Sequence, residues 1–230
     1  MDIKSARDYL EQLTVLLRGY GEPRRAAAAQ NDKGSRYTFF AIRVPVLRRV
    51  ATREFDLADL SADERLFVHD YIWNHSNDYE VMSIPLLYYR KKALRINDEW
   101  FATIRSWIDR VDDWGHCDDL ATIYSYFNHN RPDVVFPFLA KLNRSQDIWR
   151  IRTSIVALVH YSGKGSVYLS PAEVLPFLDP HLDNKDKYIA NAIGWVLREL
   201  SRKYPSEIAS YIAKNNDRLT GIARRRAGGY

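Results

Sequence analysis

Apolar residues recur at intervals of three and four along most of the chain, which is the spacing of one face of an α-helix. The pattern is clear in SARDYLEQLTVLLRGY (5–20), EVMSIPLLYYRKKALRI (80–96) and KYIANAIGWVLRELSRKY (187–204). Strict alternation of apolar and polar residues, typical of half-buried strands, is scarce. The pattern predicts an all-α protein, folded as a single domain over residues 1–230. Its short connections are marked by Gly21-Glu22-Pro23, Arg131-Pro132, Ser162-Gly163-Lys164-Gly165 and Pro205.

An acidic residue followed by an aromatic one marks the start of several predicted helices. The aromatic residues lie 35, 35 and 39 positions apart, at Tyr79, Trp114, Trp149 and Tyr188. We expect the aspartates before them to act as helix N-caps. A period of this length is typical of a two-helix unit, and it predicts an αα superhelix of HEAT-like repeats. The concave surface of such a solenoid is its usual binding face.

A helical projection separates an apolar stripe from a second face in two of the predicted helices. Between residues 112 and 127, the core stripe consists of Cys117, Leu120, Ile123, Tyr124 and Phe127. Trp114, Asp118, Ala121 and Ser125 line the neighbouring face, where the small residues are expected to leave open space. Between residues 188 and 202, Trp195 lies off the apolar stripe, together with Asn191, Arg198 and Arg202.

Composition narrows the class of protein. The chain has 230 residues, of which 46% are hydrophobic, so it can bury a full core. One cysteine excludes an internal disulfide, and no apolar run is long enough for a membrane span, so the cytoplasm is the expected location.

The net charge of +5 arises in residues 202–230, which contain seven basic residues and two acidic ones. A basic end suits contact with phosphate, and a solvated helix end explains it equally well.

The histidines and the cysteine give no sign of metal or nucleophile chemistry. No His-x3-His or Cys-x2-Cys spacing is present, so we expect no metal site. His116 and Cys117 point about 100° apart on a helix, and Cys117 falls on the core stripe. Nothing in the sequence calls for a cofactor, since the glycines of residues 163–165 lack the lysine-serine pair of a phosphate loop.

The segments WGHCDDLA, DIWRIRTSIVAL and especially YIANAIGWVLRE resemble the AlkD-like family of DNA alkylation repair proteins, which are HEAT-like solenoids. The resemblance extends from FFAIRVPVLRR (39–49) through WNHSNDYEVMSIPLL (73–87) to the basic C-terminal helix. It implies a DNA glycosylase that excises positively charged N3- or N7-alkylated purines from duplex DNA held in a concave basic groove. An enclosed pocket for the base is not implied.

The resemblance assigns roles to five residues. The catalytic aspartate corresponds to Asp118, the aromatic residues beside the lesion to Trp114 and Trp195, and the DNA-binding arginines to Arg152 and Arg198. Arg202, on the same helix face as Arg198, is a further candidate for DNA binding. A tyrosine that the family often has near the N-terminus is absent from AAAAQNDKGSRYTFFAI (26–42), and no role is assigned to Asp119.

The chemistry of the implied reaction suits these residue types. An alkylated purine carries a positive charge, so its glycosidic bond is weakened and the departing base needs little protonation. A carboxylate at position 118 would stabilise the oxocarbenium-like sugar and orient water, while the indoles would attract the cation. The alternative is a non-catalytic HEAT-like repeat protein that binds unusual DNA or a protein partner. A groove that accepts duplex DNA requires no second subunit, so we expect a monomer.

Overall fold

The computed structural model describes residues 2–55, 57–92, 97–159 and 169–228, and helices dominate these ranges. Within them we find no β-strand, only an isolated bridge between Thr38 and Asp78. The all-α prediction is therefore confirmed. The α-helices are α1 (Ile3–Arg18), α2 (Pro23–Lys33), α3 (Val44–Arg49), α4 (Ala62–His75), α5 (Tyr79–Lys92), α6 (Asp98–Ile104), α7 (Trp114–Asn130), α8 (Pro132–Asn143), α9 (Ile148–Val156), α10 (Pro171–Leu178), α11 (Lys187–Ser201), α12 (Pro205–Lys214) and α13 (Gly221–Gly228).

Shorter turns of helix extend three of these elements. A π-helical turn, Val50–Glu54, follows α3, and 3-10 turns at Arg105–Arg110 and Asp179–His181 follow α6 and α10. Such turns tighten or widen the last turn of a helix where the following chain must change direction.

Prolines and side-chain caps set the helix starts. Proline stands in the first turn of α2, α3, α8, α10 and α12, where its missing N–H costs no intrahelical bond. The breaks predicted at Gly21-Glu22-Pro23, Arg131-Pro132 and Pro205 are confirmed, whereas residues 162–165 lie outside the described residues. Asp147 and Asp186 each accept two backbone N–H groups, at the starts of α9 and α11, as the repeat predicted.

Backbone contacts divide the chain into two compact units, Met1–Leu120 and Ala121–Tyr230, with the boundary inside α7. In the first unit, α4 packs on α1, α5 and α6, and α3 packs on α5. One core cluster of this unit is built from aliphatic residues of α1, α3, α4 and α5 and of the segments between them. They are Leu13, Leu17, Ile42, Leu47, Val50, Ala51, Leu57, Val68, Ile72, Val81, Ile84 and Leu87.

In the second unit, α11 is the central helix and packs against α9, α12 and α13. Its predicted apolar stripe is confirmed, because Ile189, Ala192, Ile193, Val196, Leu197 and Leu200 are all buried. Gly194 allows α13 to approach closely, since a Cβ there would clash with the Ala223 carbonyl and with Arg226 Cβ. In α7, the predicted core stripe of Cys117, Leu120, Ile123, Tyr124 and Phe127 is likewise buried.

Neither unit offers a membrane span: among the described residues, no helix is both long enough and apolar enough to cross a bilayer.

Candidate functional site: the start of helix α7

The first turn of α7 carries two of the predicted site residues. The helix starts at Trp114 because the Asp113 carboxylate accepts hydrogen bonds from Gly115 N at 2.6 Å and His116 N at 3.2 Å. Trp114 is 38% exposed, which is unusual for an indole, and Asp118 is half-buried one turn later. The indole and the carboxylate thus share one face at the beginning of the helix.

Lys33, the last residue of α2, covers the indole of Trp114. Its Nζ lies 3.3 Å from the centre of the Trp114 ring and 3.9 Å from Asp113 Oδ1. Only 17% of the Lys33 side chain is exposed. A cation over the face of tryptophan is attracted by the ring quadrupole, and a nearby carboxylate adds to that attraction. The surroundings of Trp114 are therefore suited to a positive charge.

Two further contacts hold the end of α2 beside the start of α7. The Asp112 carboxylate accepts hydrogen bonds from Ser35 Oγ at 2.8 Å and from Arg36 N at 2.9 Å. Gly34 ends α2 in the left-handed conformation, with φ of 64°, which glycine adopts at little cost. The turn after Lys33 is thereby fixed to the residue that precedes the N-cap of α7.

Three stacked rings form the wall behind this surface. The ring of Tyr79 lies between Phe39 and His116, with centroid distances of 4.3 Å and 4.1 Å. His116 is fully buried, and its Nε2 lies 3.0 Å from Ser83 Oγ. Burial lowers the pKa of His116 to about 4, so the ring is neutral at neutral pH. Tyr79 also directs its hydroxyl towards Asp113 Oδ1, 3.5 Å away.

Acidic groups surround Lys33. Burial raises the pKa of Asp113, and Lys33 together with the two backbone N–H groups opposes that rise. Asp119, to which the sequence assigned no role, pairs with Arg90 at 2.6 Å. Burial raises the pKa of Asp119 as well, and the Arg90 guanidinium opposes the rise. The environment is thus strongly acidic around one ammonium group.

A cavity of about 520 Å³ opens next to Lys33 within the first unit. Ile42, Leu47 and Leu87 give it apolar walls, and the remainder of its lining includes Arg43, Glu80 and Asp119. Apolar walls with a few converging polar groups are typical of small-ligand sites in proteins.

The other predicted tryptophan, Trp195, is half-buried on α11 in the second unit. On the same helix, the buried Glu199 carboxylate pairs with Arg198 at 3.2 Å and with Arg202 at 2.5 Å. The side chains of these arginines are 30% and 65% exposed. Glu199 therefore holds two cations at the surface of α11, where Arg202 in particular is accessible.

Arg152 is placed differently from the other predicted DNA-binding arginines. It is only 6% exposed, and its Nη1 donates a hydrogen bond of 2.6 Å to the Tyr188 carbonyl in the first turn of α11. The guanidinium thus links α9 to α11. Contact with a phosphate, which the resemblance implied for Arg152, stays a prediction, as do the roles of Asp118, Trp114, Trp195, Arg198 and Arg202.

One interpretation of the α7 face is wrong. Ala121 and Ser125, expected to leave open space beside Trp114 and Asp118, are fully buried. Ser125 Oγ donates a hydrogen bond of 2.9 Å to the Val159 carbonyl. The projection assigned the face correctly only for the first turns, because helix packing covers α7 from position 121 onwards.

Sequence reasoning missed Lys33, and it assigned Tyr79 only to a helix start. Both residues contact Asp113 or Trp114 from other helices, so local spacing does not reveal these contacts. The one available signal was the glycine in WGHCDD: a Cβ at Gly115 would clash with Tyr79 Oη and Lys33 Nζ. No group of three potential metal-ligating side chains occurs in the ranges that the structure describes.

The family model for "DNA alkylation repair enzyme" matches residues 13–230 of the chain. The chain belongs to that family. The predicted resemblance is therefore confirmed. The matched range contains both the start of α7 and the whole of α11. No protein of curated function shows significant sequence similarity to this family member.

Solved structures with the same fold include a "predicted DNA alkylation repair enzyme" from Enterococcus faecalis. It is 14% identical, with a TM-score of 0.77 over 91% of this chain and 96% of that one. AlkD2 from Streptococcus mutans is also 14% identical, with a TM-score of 0.58 over 81% of this chain and 87% of its own. At this identity the likeness establishes the fold, and the predicted HEAT-like repeat architecture is confirmed.

Proposed function

We propose that this member of the DNA alkylation repair family is a DNA glycosylase that excises positively charged N3- or N7-alkylated purines from duplex DNA. The family membership supports a role in DNA alkylation repair. The observation that carries the proposal is the Lys33 ammonium, 3.3 Å above the Trp114 ring in acidic surroundings. A surface that holds one cation so closely is suited to a cationic nucleotide.

Asp118 supplies the negative charge that the reaction needs. Departure of a cationic purine leaves a positively charged, oxocarbenium-like sugar, and a carboxylate near C1′ stabilises that sugar and orients the attacking water. Because the leaving base is already charged, no strong general acid is required. Arg198 and Arg202 provide positive charge on α11 for phosphate contact, which would offset the repulsion between DNA and the acidic surface.

The alternative is a family member that binds DNA without cutting the glycosidic bond. In this alternative Lys33 stays on the Trp114 ring, whereas a glycosylase must displace it, because Lys33 occupies the ring face that a cationic nucleotide would contact. Displacing Lys33 would cost about 0.5 to 2 kcal/mol of cation–π attraction.

Release of the modified base from a duplex with a single N7-methylguanine tests the proposal. The native protein is compared with Asp118→Asn at matched DNA saturation, and Asp133→Asn, an exposed carboxylate paired with Arg131, is the matched control. We expect Asp118→Asn to lose about 100-fold or more of the rate, since removal of one preorganised electrostatic group has that effect in other enzymes. Asp133→Asn should retain the native rate.

Two results would contradict the proposal. Release by Asp118→Asn at the native rate removes Asp118 from the mechanism. No release by the native protein above the protein-free rate, from saturated N7-methylguanine and N3-methyladenine duplexes, favours the non-catalytic alternative.

A further inference from the structure

The amine of Lys33 lies against Trp114, one of the residues to which we assign base excision. It ends α2, lines the cavity of about 520 Å³, and stands 3.3 Å from the centre of the Trp114 ring. Asp118 lies one turn along α7 from Trp114, and its charge acts on Lys33. A deoxyribose held between Trp114 and Asp118 would therefore present its C1′ atom to a primary amine.

Gly115 preserves the space that this amine needs. Its missing side chain leaves room for the Lys33 ammonium and the Tyr79 hydroxyl, both of which a Cβ would meet at clashing distance. Lys33 also lines the cavity and keeps 17% of its side chain exposed, so the side chain is confined without being sealed from solvent.

Burial of the side chain favours the reactive, neutral form of the amine, whereas the carboxylates around it favour the ammonium. Burial lowers the pKa of Lys33, while the carboxylates of Asp113, Asp119, Asp32 and Asp118 act in the opposite direction without restoring the ordinary value. A lowered pKa increases the fraction of neutral amine at neutral pH, and the neutral amine is the nucleophile that attacks carbonyl groups.

We propose that Lys33 is a nucleophile for abasic sites, forming a Schiff base with the ring-opened deoxyribose and giving the protein a DNA strand-cleaving lyase activity. The substrate is an aldehyde in DNA, which is the product of the proposed base excision. The inference therefore rests on the placement of the sugar between Trp114 and Asp118. It goes beyond the proposed function because base excision itself requires only water.

The steps balance without an added oxidant or reductant. The Lys33 nitrogen attacks C1′, a C–N bond forms, and loss of the aldehyde oxygen as water gives an iminium ion. The Asp118 carboxylate accepts a proton from C2′, the electron pair moves towards the iminium, and the C3′–O bond breaks with the phosphate as leaving group. Water then hydrolyses the remaining imine, which releases an unsaturated aldehyde and regenerates Lys33.

Borohydride trapping on a duplex with a preformed abasic site tests the inference. Borohydride reduces a Schiff base to a stable amine, so we expect a covalent complex between the native protein and DNA, with peptide mass spectrometry placing the adduct on Lys33. Lys33→Met and Lys33→Arg should lose at least 90% of the adduct. Lys4→Met, at an exposed position of α1, is the matched control and should trap like the native protein.

The variants also separate a folding defect from lost chemistry. Their urea unfolding midpoints and their affinity for the abasic duplex are measured first, and Lys33→Arg keeps a cation in place. Native-like trapping by a folded Lys33→Arg, or no trapped complex with the native protein at saturated DNA binding, overturns the inference. Asp118→Asn should still trap DNA but cleave the strand at least 10-fold more slowly.

The preformed abasic site makes this test independent of base excision. Release of N7-methylguanine without trapping would support the proposed function and reject the lyase. Trapping on Lys33 without release would support the lyase and reject the proposed glycosylase.

Discussion

Helices α7 and α9 start with the same device and yet have different surroundings. Asp147 caps α9 from an exposed position and accepts hydrogen bonds from Trp149 N and Arg150 N, each 2.9 Å long. Asp113 caps α7 in the same manner, but it is completely buried. Around it lie the Lys33 ammonium, the Tyr79 hydroxyl and the His116 ring.

The difference shows how a candidate binding site can form at a helix start that the repeats have in common. A capping aspartate is needed at each helix start, so the residue type is fixed by local structure in both repeats. At α7, residues from α2 and α5 surround the capping aspartate, which therefore becomes part of a buried cluster of charged and polar groups. Trp114 is then left at the edge of that cluster, 38% exposed.

The largest difference between the two helix starts is expected in the free energy of unfolding that is lost when each capping aspartate is removed. Asp113→Ala leaves the largely buried Lys33 ammonium without its nearest carboxylate, so we expect a loss of about 3 to 5 kcal/mol in unfolding free energy. Asp147→Ala removes only a solvent-exposed cap, with an expected loss of about 1 kcal/mol. Urea denaturation measures both, and equal losses would show that burial of Asp113 contributes nothing.

The second-largest effect is expected in the pH dependence of stability, because the start of α7 contains the buried His116. His116 has a folded-state pKa of about 4, below its ordinary value of 6.5, so its neutral form stabilises the fold. That stabilisation is complete above pH 6.5 and is lost as the pH falls towards 4, by about 3 kcal/mol in all.

Denaturation of the native protein and His116→Gln between pH 7.5 and 4 isolates this effect. Asp112, Asp113, Asp119 and Lys33 act on His116, and the raised pKa values of Asp113 and Asp119 favour the fold as the pH falls. The native protein also contains His69, whose pKa is about 3. Because these groups remain in both proteins, the difference in slope reports His116. Identical slopes would mean that His116 is not held neutral.

The smallest effect on base release is expected from Lys33→Met, which uncovers Trp114 and keeps the Asp113 cap, although it removes the ammonium paired with that carboxylate. Removing the resident cation should speed the release of N7-methylguanine by about 2- to 30-fold, corresponding to about 0.5 to 2 kcal/mol of cation–π attraction. Single-turnover base release measures it, with Lys4→Met as the control. A slower release would show that the ammonium assists excision and does not compete with the substrate.

The sequence predicted the parts of the fold that depend on neighbours along the chain. Periodicity located the buried stripes of α7 and α11, and the acidic-aromatic pairs located the helix starts at positions 113, 147 and 186. These features follow from spacing and capping, which act within one helix turn.

The contents of the candidate site depend on contacts between distant segments. Lys33 reaches Trp114 from α2 across about eighty residues of sequence, and Asp119 finds Arg90 on α5. Packing likewise buried Ala121 and Ser125, which the projection had left open. A single sequence does not specify which helix faces another, and for that reason Lys33 was missed.

The segment between α2 and α3 is irregular, yet hydrogen bonds hold its backbone at several positions. Thr38 N donates to the Asn77 carbonyl, and Thr38 O accepts from Tyr79 N. The buried Glu80 carboxylate accepts hydrogen bonds from Phe40 N and Ile42 N. Surface loops usually accept insertions and deletions, but these bonds require a fixed number of residues between positions 38 and 42. Relatives that retain this glutamate should therefore vary in the composition of the segment while keeping its length.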